Sequence, residues 1–150
     1  MTDDGNPDDA TLLAQLETSP DAWGRLLNAA DAFAASPHAE HDVSWSRPEP
    51  GGAGSVSLPY PLYGERVELA RRALAEVRAV TPAYHWTRHR APTVPADGSP
   101  LSPADAVRLA TALVRGERFG DGTIAAALER GAFQAALASL ATWYRARPPA

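Results

Sequence analysis

Apolar residues recur at helical spacing in several separate stretches of the chain, and prolines and glycines interrupt the pattern between them. Leu12, Leu13 and Leu16 share one face of a short helix that must end before Pro20. The next stretch is longer. Trp23, Leu26, Leu27, Ala30, Phe33 and Ala34 follow the i, i+3, i+4, i+7 series of a helix with one buried stripe. Ser19 is placed to cap its start, Pro20 fits its first turn, and Pro37 stops it. A third helix is predicted over "GERVELARRALAEVRAV", with Val67, Ala70, Leu74 and Val77 facing inward and Pro82 beyond its end. Ser102, Pro103 and Asp105 open a fourth, which buries Leu109, Ala110 and Leu113 and runs to about Arg115. A short fifth helix over 123–130 turns Ile124, Ala125 and Leu128 inward. Gly131 suits a left-handed cap, and a last helix buries Phe133, Leu137, Leu140, Ala141 and Tyr144.

Two segments lose the period. Between Pro37 and Pro61 the chain is rich in Pro and Gly, and its alternating pieces "DVSWS" and "SVSLPY" allow a small β-hairpin around "PEPGGAG". The stretch "YHWTRHRAPTVPADGSP" is the second. The expected fold class is therefore all-α: a compact bundle of five to six helices in a single domain spanning 1–150, with a long Pro/Gly-rich loop after the second helix. Residues 1–8 and 146–150 are expected to be disordered.

Composition narrows the chemistry. The chain has no cysteine, which excludes disulfides, thiolate nucleophiles and Cys-ligated zinc. It has no lysine, which removes Schiff-base chemistry and the phosphate-loop lysine. Exclusive use of arginine, beside abundant Ala, Pro and Gly, reads as the codon bias of a GC-rich bacterial genome. The net charge of −4 is uneven: residues 1–50 hold ten acids and two arginines, whereas 51–150 hold eight acids and twelve arginines. The acidic half disfavours nucleic acid as a partner, since phosphate neutralisation supplies most of that affinity. An acidic, polar start and the lack of any long apolar run point to a cytoplasmic protein with no membrane partner.

The stretch "RGERFGDGTIAAALERG", Arg115 to Gly131, is the densest in unusual residues. Its glycines do not fall in a phosphate-loop pattern, and a helix, not a strand, precedes them. A helix-turn-helix is a second reading, but helix 123–130 would offer mostly Ala, Thr123, Glu129 and Arg130 for base readout. The third reading is a structural corner, in which Phe119 fills the space between helices and Arg115 or Arg118 pairs with Glu129 or a helix C-terminus.

The same stretch resembles a family of small uncharacterised bacterial proteins, a domain of unknown function. Its pattern R-x-x-R-F-x-x-G-x-[LI]-A-x-x-[LIF]-E-x-G falls on Arg115, Arg118, Phe119, Gly122, Ile124, Ala125, Leu128, Glu129 and Gly131. Upstream, "LPYPLYGERV" resembles that family's Pro-Tyr segment, and "YHW" its aromatic-Asp-Trp, with His85 in place of the Asp. The resemblance spans roughly 58–145 and implies no catalytic residues, because no activity is attached to the family.

His85 and His89 stand at i, i+4, and His38 and His41 lie in the other loop, but nothing in the sequence joins the pairs into a metal site. The aromatics divide likewise. Tyr63 and Tyr84 bracket the third helix, so Tyr60 and Trp45 are expected at one end of it and Trp86 at the other. No catalytic residue, cofactor or metal ligand is expected. The candidate binding or structural cluster is Arg115, Arg118, Phe119, Glu129, Tyr60 and Trp86. The expected function is a protein-interaction module acting on a protein partner or through self-association. An enzyme with a site built from loop residues, or a weak helix-turn-helix-like nucleic-acid binder, is the alternative.

Overall fold

The computed structural model describes residues 6–46 and 59–147. In them the order is α1 (Asp9–Ala14), α2 (Pro20–Ala35), β1 (Val43–Trp45), β2 (Pro61–Tyr63), α3 (Glu65–Glu76), α4 (Pro103–Glu117), α5 (Thr123–Glu129) and α6 (Ala132–Ala146). The helical bundle expected from the periodicity forms, and a two-stranded antiparallel hairpin accompanies it. The starts of three helices follow from their sequence. Asp8 accepts the Thr11 N–H at α1, Ser19 the Ala22 N–H at α2, and Ser102 the Asp105 N–H at α4. Each such cap is worth about 1 kcal/mol.

The helices close on one core. α4 packs against α6, α2 against both α3 and α6, α1 against α4, and α5 bridges α4 and α6. Trp23 and Leu26 of α2, Leu74 of α3, Val107 of α4, Ile124 of α5 and Phe133, Leu137 and Leu140 of α6 are fully buried. Phe33 meets Phe133 edge-on at 5.9 Å between ring centroids, an arrangement that suits their quadrupoles.

Three features depart from the periodicity. First, α3 ends at Glu76, four residues before the expected Val80. Arg78 takes a left-handed conformation (φ 63°), and Arg78 N–H and Ala79 N–H fold back onto Ala75 and Leu74 carbonyls. The freed backbone finds other partners. The Val77 carbonyl accepts Glu17 N–H, the Arg78 carbonyl accepts the Gln15 amide, and the Ala79 carbonyl accepts the Thr111 hydroxyl. Second, Asn6 is not frayed: it is buried, and its side-chain oxygen accepts the His85 N–H at 2.7 Å. Residues 1–5 and 148–150 lie outside the described residues. Third, β1 falls within "DVSWS", but its partner is Pro61–Tyr63, just past the expected "SVSLPY". Val43 pairs with Tyr63, Ser44 with Leu62 and Trp45 with Pro61. The expected turn "PEPGGAG" and residues 55–58 also lie outside the described residues.

A buried ion pair fixes the hairpin to the helices. Arg66, in the first turn of α3, donates from Nε and Nη2 to Asp42, both at 2.6 Å. Its Nη1 donates to the carbonyls of Ala32 and Ser36, capping the end of α2, and its guanidinium lies 4.1 Å from the centre of the Phe33 ring. Gly64 is required just before this point, because a Cβ there would collide with the His41 carbonyl oxygen. Burial acts to raise the Asp42 carboxyl, but the Arg66 hydrogen bonds, the Ala39 N–H and nearby positive charge outweigh it and hold the group below its ordinary value. A carboxyl depressed on folding stabilises the native state above its unfolded pKa and ceases to do so as pH falls through its folded value. Asp42→Asn is therefore expected to cost about 2 kcal/mol at pH 7. Its deficit against the parent should shrink below about pH 4, where the unfolded carboxyl begins to protonate. Urea midpoints measured between neutral and strongly acidic pH check both statements.

Candidate functional site

The turn between α4 and α5 is built around Glu117, a residue to which sequence reasoning assigned no role. Glu117 is the last residue of α4, and its side chain is directed inward under the turn. Its Oε1 accepts the Ile124 N–H at 2.8 Å and the Tyr63 hydroxyl at 2.5 Å, while Oε2 accepts the Gly122 N–H at 2.8 Å. The Tyr63 hydroxyl oxygen in turn accepts the Ala125 N–H at 3.1 Å. The cap position of α5 is Gly122, which has no side chain to satisfy the helix's first N–H groups. Glu117 and Tyr63 do this from elsewhere in the chain, and the carboxylate also faces the positive end of the helix. Burial, reinforced by the hydrogen bond to Glu117, pushes the Tyr63 phenol well above its usual range, so it remains a donor at neutral pH.

Two tryptophans clasp this turn. Gly122 sits at φ 94°, and a Cβ on it would lie 3.0 Å from the edge of Trp45. Trp86 lies over α4 at Gly116, where an added Cβ would stand 3.8 Å from its ring, and its ring centre is 6.0 Å from that of Phe119. The two irregular loops therefore fold back to the same corner, which corrects the expectation that their aromatics sit at opposite ends of α3. Tyr84 stays apart, buried on its own side of the core.

Phe119 does not fill the space between helices. It is 78% exposed, which overturns the expectation that it plugs the corner. The helical period ends at Glu117, and the following turn carries residues 118–120 out into solvent. The expected ion pair is also absent among the described residues: Arg115, Arg118 and Glu129 form no salt bridge, and Arg118 and Glu129 are exposed. Glu129 instead lines a shallow depression of about 210 Å³ with His38, Asp42, Val43 and Trp45. Tyr60 is 52% exposed and pairs with Ser46 through its backbone. Alternation along the strand puts it with Leu62 on the hairpin face opposite Trp45 and Tyr63. Of the six candidates, the turn thus gathers Arg115, Arg118, Phe119 and Trp86. Trp45, 51% exposed, joins them from β1.

The surface of this turn is aromatic and basic. The buried Glu117 carboxylate is filled by three donors, and the exposed groups include the Phe119 and Trp45 rings and Arg118, which forms no salt bridge among the described residues. The exposed side of α5 offers Ala126, Glu129 and Arg130, a sparse set for reading bases. Residues 85–89 form turns, so His85 and His89 do not share a helical face. Among the described residues no three His, Asp or Glu side chains gather where a metal ion could sit. No helix of the described residues is long and apolar enough to cross a membrane.

A family model matches residues 18–146; its description is a family of unknown function, DUF6508. No curated protein and no solved structure matches the chain.

Proposed function

Because the chain belongs to the DUF6508 family, whose activity is not established, we propose its function from the surface alone: a cytoplasmic protein-interaction module that grips a partner protein with the α4–α5 turn. The observation that carries this is Phe119, a large apolar ring held out in solvent against Trp86 on a turn fixed by a buried carboxylate. An exposed aromatic is ordinary when its backbone is loose. On a fixed turn its ordering entropy is already met, which is the condition for an interface anchor. Arg118 beside it pairs with no carboxylate among the described residues, so the complementary surface is an apolar pocket with acidic groups at its rim.

Photo-crosslinking tests the reading. Benzoylphenylalanine is placed at position 119, or at exposed Arg72 on α3 as a control, and the protein is irradiated in its source cells. A single defined adduct from 119, missing from 72 and lost on Trp86→Ala, is the expected result. An adduct with a second copy of the chain would assign the same turn to a homo-oligomer. Equal labelling from both positions, or none from 119, would overturn the proposal.

A further inference from the structure

A second feature lies away from the aromatic turn. A pocket of about 450 Å³ opens between the second irregular loop and the α4–α6 layer. Leu109 and Leu113 of α4 form its floor with Ala132 at the start of α6. Ala91, Pro92 and Val94 wall it, and Arg90 and Arg130 stand at its edge. Among the described residues no acidic one lines it. This is a volume suited to a small organic ligand, with apolar walls and a few charged groups of one sign.

Arg90 and Arg130 give the edge of this pocket a positive charge. Six of the thirteen described arginines find carboxylates: Arg25 with Glu76, Arg66 with Asp42, Arg71 with Glu68, Arg78 with Glu17, Arg108 with Asp9 and Asp105, and Arg145 with Asp31. Arg90 and Arg130 make no salt bridge or side-chain hydrogen bond among the described residues. Both guanidinium groups border one partly apolar pocket, and an anion seated at that edge would neutralise them. Guanidinium groups favour planar carboxylate and tetrahedral phosphate oxygens, which accept paired N–H donors. The floor of Leu109 and Leu113 would be covered by an apolar body of the same ligand.

We propose that this pocket binds a small amphipathic organic anion, its carboxylate or phosphate head between Arg90 and Arg130 and its apolar body on Leu109, Leu113 and Val94. Both features are needed together: the head alone leaves the floor wet, and the body alone leaves the arginines unpaired. Arg130 also caps α5 at its junction with α6, so an occupant would touch the element that carries the aromatic turn at its other end.

Calorimetric titration of the full chain at neutral pH tests this with four probes: hexanoate, phenyl phosphate, 1-hexanol and inorganic phosphate. Hexanoate, phenyl phosphate or both should bind at one site, about tenfold or more tighter than the neutral alcohol and the bare phosphate. Arg90→Gln and Arg130→Gln should each weaken binding by about tenfold, and Thr93→Glu, which brings a carboxylate to the pocket wall, should abolish it. All three positions are exposed, so unfolding midpoints should match the parent and show that the fold is intact. Hexanoate no tighter than hexanol together with phenyl phosphate no tighter than bare phosphate would overturn the proposal. Affinities indifferent to both arginine substitutions, or no binding at millimolar concentration, would also overturn it.

Discussion

Glu117→Ala is expected to lower stability by about 3–4 kcal/mol and the melting temperature by roughly 10 °C. The substitution removes the acceptor of three donors at once. Gly122 N–H and Ile124 N–H are backbone groups that cannot rotate towards another partner, and the Tyr63 hydroxyl is inside the same turn. A buried donor left without an acceptor costs about 1–3 kcal/mol, and charge-assisted bonds lie at the upper end. The three losses do not simply add, because Tyr63 can reorient once Glu117 is gone. Glu117→Gln should cost less, about 2 kcal/mol, because one oxygen still accepts while the new amide meets Gly122 N–H donor to donor. Urea unfolding gives the energies. Amide exchange at Gly122 and Ile124 locates them, and both amides should lose protection in either variant.

Trp23→Ala should be the most damaging single change, at about 4–5 kcal/mol. The Trp23 ring is fully buried at the meeting point of α2 with α6. It stacks on Tyr144 at 4.6 Å between centroids and lies 5.6 Å from Trp143. Its Nε1 donates to the Glu17 carbonyl at 2.6 Å, and Glu17 N–H in turn binds the Val77 carbonyl. One side chain therefore ties the α1–α2 turn to the end of α3. Domains of this kind hold about 5–15 kcal/mol in total, so the alanine variant should be largely unfolded at modest temperature. Trp23→Phe keeps an aromatic ring but not the donor, and should cost about 1–2 kcal/mol. A thermal melt of the two variants beside the parent separates the packing from the hydrogen bond.

What the sequence made legible was local. Ser19-Pro20 and Ser102-Pro103 announced helix starts because the capping side chain is the neighbour of the helix it caps. Gly131 read correctly as left-handed (φ 79°) because only backbone geometry was at issue. Glu117 was not legible, because it caps a helix that begins several residues later and shares its acceptor with a tyrosine from the hairpin. A signal was nevertheless present. Helix α5 follows Gly122 with no Ser, Thr, Asp or Asn at the cap, so an acceptor had to come from elsewhere, and Asp121 and Glu117 are the acids that precede it most closely. Phe119 was misassigned for a related reason. Apolar character predicts burial only while the helical period continues, and the period stops at Glu117. Asp42, set in a loop among histidines, gave no sign that its partner was Arg66 across the hairpin.

Labour is divided at the turn: Glu117 holds it, and Phe119 is left free for contact. Urea unfolding of Phe119→Ala tests that most directly. Stability within about 0.5 kcal/mol of the parent is the predicted result, since the ring is mostly in water and touches little besides Trp86. A loss of about 3–5 kcal/mol, the cost of emptying a core site, would contradict it and return Phe119 to the interior.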